Sequence, residues 1–279
     1  MADLLASKDE RTSRAVIDAA ATLLAGDRNG APDNLIALLF GRTAPEDLAA
    51  YTPSELAALA ANAWSFLELR MPGAPKVRFE LPDPGSGERL KSIAVIEIVN
   101  DDMPFLVDSV MGELTDRGLD IRLVAHPVLA VERNATGMLK GAPQRAGATS
   151  NGLRESLIHI HVERVEDAAR RAEVVQAVEQ VLAEVRLAVE DWRAMRERVG
   201  QLVADLRGNP PPLPQGEVEE TANFLDWLGD NNFTFLGLRD YDFLADGGGL
   251  KPRSESALGL LRQRDMRVDR KSTRLNSSH

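Results

Sequence analysis

Val174, Val178, Val181, Val185, Ala188, Trp192, Met195, Val199, Leu202 and Leu206 follow one another at alternating spacings of four and three residues. Only a helix presents that period on one side, as a heptad seam. Continuous from about residue 166 to 207, it would be roughly 60 Å long at about 1.5 Å per residue. A small domain cannot cover that length, so part of the helix is expected to pack on another domain or subunit. Gly200 weighs against continuity by about 1 kcal/mol. The preferred reading is a sheet-packing helix that continues as an inter-domain arm. A coiled-coil dimer, and with it a helical oligomerisation module, is the alternative.

Two kinds of pattern precede this helix. Residues 12–71 read as helices rich in Ala and Leu. Thr43-Ala44-Pro45-Glu46 and Thr52-Pro53-Ser54-Glu55 are start signals, and Met71-Pro72-Gly73-Ala74-Pro75 is a stop. They form a helical lead-in, residues 1–75, packed on the next part of the chain. From Val77 the period becomes that of strands. Val77, Phe79 and Leu81 alternate with charges, and Ile93–Val99 is β-branched almost throughout. Phe105, Leu106, Ser109, Val110, Glu113 and Leu114 then recur at helical spacing, with Gly118 as the C′ residue. Leu119–Val124 begins a strand that Val128–Glu132 continues. Residues 134–152 read as a loop or loose hairpin tip, and Ser156–Val162 as a strand with Ile158, Ile160 and Val162 on one face. The order strand–helix–strand–strand–helix is the first five elements of a βαββαβ, ferredoxin-like module, an α+β layout. It occupies residues 76–207 with its long C-terminal helix.

Asn209-Pro210-Pro211-Pro212-Leu213-Pro214 cannot continue a helix and makes residues 208–216 a stiff linker. Beyond it, Val218, Ala222, Leu225 and Leu228 mark a short helix. Phe233, Phe235, Tyr241 and Phe243 fall on the odd positions of a strand. Residues 217–268 are read as the start of a second α+β module that is not finished. Asp246-Gly247-Gly248-Gly249 is a loop. Residues 269–279 have no periodicity, resemble translated vector sequence and are set aside from fold reasoning.

The chain has 279 residues, a prior of about two domains. Its 33 basic and 43 acidic residues give a net charge of −10, which argues against nucleic-acid binding. With no Cys and four His, thiolate chemistry is excluded and a His-rich metal centre is not expected. No apolar run approaches the roughly 18 residues a membrane span needs. The first ten residues lack the features of a signal or transit peptide, so a cytoplasmic location is expected by default.

Little here carries chemistry. Gly85-Ser86-Gly87-Glu88-Arg89-Leu90 lacks a third Gly and precedes a strand, so it is no dinucleotide fingerprint. No phosphate-binding loop is present. His159 and His161 share one strand face and could begin a metal site, but no further ligands are marked nearby. They read as part of a polar, half-exposed sheet face. His126-Pro127 shapes its strand. Asp101-Asp102 could meet a cation, and reads as structural through capping and the helix dipole. No catalytic, cofactor-binding or metal-binding residue is assigned.

The segment from Asp102 to Ile121 resembles the core of ACT domains, regulatory modules that typically bind amino acids. There a strand ends in an Asp-x-Pro-Gly turn, followed by a helix, Arg-Gly and the next strand. Such a turn points backbone N–H groups and a helix N-terminus at a ligand carboxylate, and its Gly admits the ligand closely. By that resemblance Asn100, Asp101, Asp102, Met103, Pro104, Phe105 and Leu106 form an effector-binding turn. Phe105 stands where the Gly would be, and its side chain is expected to fill the pocket. A stand-alone amino-acid sensor is one reading of this motif.

Longer blocks resemble one family. Val99-Asn100-Asp101-Asp102-Met103-Pro104-Phe105-Leu106-Val107-Asp108-Ser109-Val110 is similar to the N-terminal region of the large bacterial NAD-dependent glutamate dehydrogenases. So are Leu123–Leu129, Glu155–Ile160, Val189–Trp192 and Asn232–Tyr241, giving similarity from about Leu35 to about Tyr241. The resemblance implies a regulatory and architectural N-terminal fragment with ACT-like domains. It implies oxidative deamination of L-glutamate to 2-oxoglutarate by a downstream catalytic domain of the same protein. NAD serves the full-length family, and this fragment itself binds no cofactor. It also implies a homo-oligomer and an amino-acid effector as partners.

Overall fold

The computed structural model describes residues 8–26, 30–147, 152–244 and 249–263; the loop expected at Asp246–Gly248 and the tail after Asp269 lie outside them. The chain divides into two compact units, Met1–Leu182 and Ala183–His279.

The first unit opens with four helices, α1 (Lys8–Gly26), α2 (Leu35–Phe40), α3 (Pro45–Leu48) and α4 (Pro53–Leu67). The start of α4 is the one the sequence marks best. Thr52 accepts the Glu55 N–H while the Glu55 carboxylate accepts from Thr52, a reciprocal capping box with Pro53 at the first position. At α3, Pro45 does the same service but Ala44, not Thr43, is the cap residue, and no side chain caps it.

Strands β1 (Lys76–Glu80) and β2 (Ile93–Asp101) come next, then α5 (Leu106–Asp116), β3 (Ile121–Ala125), β4 (Val128–Val131), β5 (Gln144–Arg145), β6 (Leu153–Glu163) and the start of α6 (Ala168–Gly208). Gly118 ends α5 in the left-handed conformation at φ 69°, the C′ position expected of it. The sheet runs β1-β2-β6-β4-β5, with β3 also on β6, and every pair is antiparallel. β3 and β4 share one side of β6. The joint at His126-Pro127 separates them, and Pro127 keeps its carbonyl in the ladder by accepting from Leu157 N–H. The stretch expected as a loop tip contributes the short edge strand β5. The free side of β2 is taken by β1, which precedes it, so from β1 onward the order is ββαββββα: β1, the division of the middle strand into β3 and β4, and the edge strand β5 are added to the expected βαββα core.

Alternation sends the odd residues of β2 and β6 to one side. Ile93, Val95, Val99 and Leu157 join Leu123, Ala125, Leu129 and Val131 in one core with α1, α2 and α4. The even residues Ala94, Ile96, Ile98, Ile158, Ile160 and Val162 are equally buried, and the buried stripes Leu106-Val110-Leu114 of α5 and Val174-Val178-Leu182 of α6 are the apolar surface available to cover them. The helical lead-in is thus a layer of the module rather than an appendage.

One consequence is a buried charge cluster at the end of the sheet. Asp101 and Glu155 are register partners, two acids face to face, an arrangement that by itself destabilises. Arg70 resolves it, donating to Glu155 Oε1 and Asp101 Oδ1 at 2.7 Å each. Arg133 holds Glu155 with a two-pronged grip, both contacts 2.7 Å, and donates to the carbonyls of Leu67 and Gly137. The Arg70, Arg133 and Glu155 side chains are 0–1% exposed.

The second unit is built on the rest of α6, with α7 (Gln215–Trp227), a π-helical turn at Leu228–Asn232, and β7 (Gly237–Leu238), β8 (Tyr241–Phe243), β9 (Leu250–Pro252) and β10 (Leu258–Gly259). β7 pairs with β10 and β8 with β9, both antiparallel. Helix α6 is continuous over 41 residues, so Gly200 does not break it. Two expectations are corrected here. Phe233, Phe235, Tyr241 and Phe243 do not share one strand: two short strands replace it, and Phe243 is 89% exposed. The buried residues of α6 in this unit are Val185, Ala188, Asp191, Met195, Val199 and Val203, not the strict heptad set. The covered stripe keeps the heptad positions Val185, Ala188, Met195 and Val199 and departs from them at two others. Asp191 turns inward where Trp192 was expected, and Val203 where Leu202 was expected. Asp191 accepts from Gly259 N–H at 2.7 Å and from Arg262 at 2.5 Å.

Glu155→Ala leaves Arg70 and Arg133 buried without their shared carboxylate. It is expected to destabilise by about 3–5 kcal/mol. Urea unfolding of the full chain checks this against Glu163→Ala at the exposed end of the same strand, expected within about 0.5 kcal/mol of wild type.

Candidate functional site

The turn singled out by the sequence joins the end of β2 to α5. Asn100 is buried in the sheet, Pro104 and Phe105 are exposed, and Leu106 returns to the core. The turn is held from two directions. Asp101 Oδ1 accepts from Arg70 at 2.7 Å and from the Gly73 N–H at 3.4 Å. Asp102 is gripped by Arg154 through Nη2 at 2.9 Å and Nε at 3.1 Å, and accepts the Ser156 hydroxyl at 2.9 Å. The Asp102 N–H also donates to the Arg154 carbonyl, extending the β2–β6 ladder by one bond. The two acids are therefore structural, but through arginine partners rather than by capping α5. His126 stands exposed at the β3–β4 joint, just before Pro127.

The cap position of α5 belongs to Phe105, and no side chain caps the helix. Phe105 has φ 69° and ψ −2°, and among the described residues no other non-glycine has a positive φ. The left-handed region costs an L residue about 1–2 kcal/mol, which is why Gly is expected at such a position. The side chain is 46% exposed. A ring exposed to this extent is not enclosed by the protein around it. The first turn of α5 carries its dipole and its unpaired N–H groups at this end, with Asp108 as its one acid.

The second polar group lies behind the turn, on the odd face of the sheet. Arg78, Glu97 and His159 are neighbours in register across β1, β2 and β6. Arg78 donates to Glu97 Oε2 through Nε at 2.8 Å and through Nη2. Glu97 Oε1 lies 3.1 Å from His159 Nδ1. His159 Nε2 lies 2.8 Å from His161 Nε2, and His161 Nδ1 lies 2.7 Å from the Tyr51 hydroxyl, which comes from the segment before α4. Both histidines are 0% exposed. The half-exposed sheet face expected for them is instead roofed by the helical layer, with Phe40 edge-on to His159. Burial would push the Glu97 carboxyl up, but hydrogen bonds from His159 and Arg78 outweigh it and hold the group below the ordinary carboxylate range. Burial, and then the electrostatic influence of the neighbouring His159 ring and of Arg89, push His161 well below the ordinary imidazole value. Burial raises the Tyr51 phenol. Among the described residues no cluster of three or more His, Asp or Glu is arranged to hold a metal ion.

Tyr51, Arg70, Arg133, Arg154 and Asp191 carry no role on the sequence alone. Glu155 stands inside a recognisable block without one. The available signal is a charge interrupting an otherwise apolar strand or helix stripe, which points to a buried partner without naming it.

Comparison with known proteins bears on the same region. The family described as "Glutamate dehydrogenase, ACT1 domain" matches residues 35–178. Similar proteins include the NAD-specific glutamate dehydrogenase of Pseudomonas aeruginosa, 34% identical over 211 residues, which are 75% of this chain and 13% of that protein. The protein of the same description from Halomonas elongata is 33% identical over 239 residues, 85% of this chain and 15% of that protein. That of Mycobacterium tuberculosis is 29% identical over 173 residues, 61% and 10% of the two chains. The chain thus spans a small part of the length of the relatives it matches. The matched residues take in α2 to α4, the whole sheet, α5 and the first part of α6. The chain therefore belongs to the glutamate dehydrogenase ACT1 domain family.

Proposed function

We propose that this chain is a regulatory and architectural, non-catalytic segment of an NAD-specific glutamate dehydrogenase. The observation that carries the proposal is the family match over 35–178, which covers the sheet, helices α2 to α4 of its roof and the β2–α5 turn together. In the longer protein, a downstream catalytic domain oxidises L-glutamate to 2-oxoglutarate with NAD as hydride acceptor, in the cytoplasm. The organisation proposed for the segment is a helical region at 1–75, an ACT-like domain with its long helix at 76–207, a linker at 208–216 and a further α+β module at 217–268.

The turn from Asn100 to Leu106 is proposed to receive the carboxylate of an amino-acid effector. Support comes from the uncapped start of α5 and from the pairing of both turn acids with arginines, which removes most of their repulsion toward an anion. Phe105 is the residue immediately before that helix start. An interface role for the second unit, in a homo-oligomer or against the catalytic domain, is supported by a group of large apolar side chains left in solvent: Phe224, Trp227, Phe233 and Phe243.

Three measurements test this. The purified chain is expected to give no glutamate-dependent NAD reduction, and turnover would refute the non-catalytic assignment. A thermal-shift panel of amino acids at millimolar concentration is expected to single out one or a few. At 100 times Kd a ligand adds about 2.7 kcal/mol, so a flat panel removes the effector site. Phe105→Gly is expected to gain about 1 kcal/mol by releasing the left-handed Phe and to strengthen effector binding, while Phe105→Ala keeps the strain and stays within about 0.5 kcal/mol of wild type. Equal stability of the two variants would show that the backbone there is not strained.

A further inference from the structure

We propose that Tyr51, His161, His159 and Glu97 form a one-way hydrogen-bond chain that holds both imidazoles neutral and makes the seating of the helical layer on the sheet sensitive to acid. The inference stands apart from the effector reading, since none of the four residues belongs to the turn.

The direction of the chain is set by its ends. Glu97 also accepts from Arg78, so its carboxylate is an acceptor and His159 Nδ1 must carry the proton it shares with Oε1. With His159 neutral, as the proposal has it, Nε2 offers only a lone pair. His161 Nε2, 2.8 Å away, must therefore be the donor between the rings. That leaves a lone pair on His161 Nδ1, and the Tyr51 hydroxyl, 2.7 Å off, donates to it. With both rings neutral, every polar atom of the row is satisfied in one direction: Tyr51 to His161, His161 to His159, His159 to Glu97.

The same geometry limits the charge the pair can take. One added proton places N–H groups on both nitrogens of His161. Tyr51 must then accept from His161 Nδ1, and among the described residues its hydroxyl has no second side-chain acceptor. A second proton puts N–H against N–H at 2.8 Å between two rings that are 0% exposed. Folded, the pair holds at most one positive charge; unfolded, it holds two. At His161 the surroundings oppose even the first. Arg78 faces the row from β1, and the Arg89 guanidinium lies 5.5 Å from the Tyr51 ring centre. Among the described residues, Glu97 on β2 is the one carboxylate hydrogen-bonded to the pair. Glu55 of α4 and Asp47 of α3 lie near Tyr51, and Glu55 is itself engaged by Thr52 and by the Arg89 N–H. From β3 and α2 the neighbours are Leu123, Ala125 and Phe40, all apolar. Tyr51 belongs to the helical layer and the other three to the sheet, so protonation strains the contact between the layers.

The sign comes from proton uptake. The unfolded chain binds a proton at His161 below its ordinary value of about 6.5 and the folded chain does not, so stability is full above that pH and falls as pH drops. The test is urea unfolding of the full chain at pH 7.5 and 5.5, wild type against His161→Gln. Glutamine keeps the same polarity, an amide N–H for His159 and a carbonyl for Tyr51, but does not titrate. The folding equilibrium constant of wild type is expected to drop about tenfold more than that of H161Q between the two pH values. An equal drop in both proteins overturns the proposal. Should H161Q not fold, ¹⁵N spectra of the wild-type histidines decide. His159 protonated on Nδ1 and His161 on Nε2 at pH 7.5, with His161 still neutral at pH 5.5, is the expected result. The opposite tautomers, or a charged His161 at pH 5.5, overturn it.

Discussion

The β2–β6 pair has no wet face. Its odd residues meet the helical layer and its even residues lie in an equally buried second layer, so water solvates almost nothing along nine paired positions. An antiparallel sheet commonly leaves one side to solvent. Here the lead-in helices close that side, and the closure dictates the rest. A polar residue on these strands must find its partner inside the protein or carry the full cost of desolvation. Glu97, Glu155, Ser156, His159 and His161 are all buried, and each is hydrogen-bonded to a side chain.

Those partners come largely from outside the two strands, which gives the polar rows an organising role. Arg70 follows α4, Tyr51 precedes it, Arg133 follows β4 and Arg78 sits on β1. Each reaches into the same interlayer space and fixes its own segment to β2 or β6. Apolar packing alone would tolerate a shifted helical layer, because Leu and Ala exchange contacts at small cost. Two-pronged guanidinium–carboxylate contacts do not shift without leaving a charge unpaired. The orientation of the roof over the sheet is therefore specified by Glu155 and Glu97 more than by the area buried.

The sequence carries the parts of this that depend on local rules. Thr52-Pro53-Ser54-Glu55 announces α4 because capping is decided within four residues. Gly118 announces the end of α5 because only the backbone at that residue matters. The apolar alternation of Ile158, Ile160 and Val162 is equally legible. The alternation of His159 and His161 misleads because period-two patterns are identical whether the second face is wet or covered; the covering helices lie about a hundred residues away. Trp192 reads as inward because a heptad pattern gives the seam position to the apolar residue. The difference is one position, enough to exchange an indole for a carboxylate, and the partners that decide it for Asp191, Gly259 and Arg262, lie far along the chain. Nor can a local rule supply Arg70 for Glu155, since register alone places Asp101 beside Glu155 and so creates the need for it.

Phe105 is where these constraints reach the protein surface. A strained backbone persists only when its surroundings leave it no alternative. Burial does not compensate this residue, because its ring is nearly half exposed. The compensation lies on the strand side of it. Asp101 is tied to Arg70 and thereby to Glu155 and Arg133, while Asp102 is tied to Arg154 and Ser156 and prolongs the ladder. On the other side Leu106 and Val110 anchor α5 in the core. With both flanks fixed and only Met103, Pro104 and Phe105 to join them, Pro104 is restricted in φ and the reversal falls on Phe105. The shape of the turn is thus imposed by the buried arginine clamp at the sheet's end, and any ligand meeting the first N–H groups of α5 meets them in a position set by Glu155, a residue it never touches.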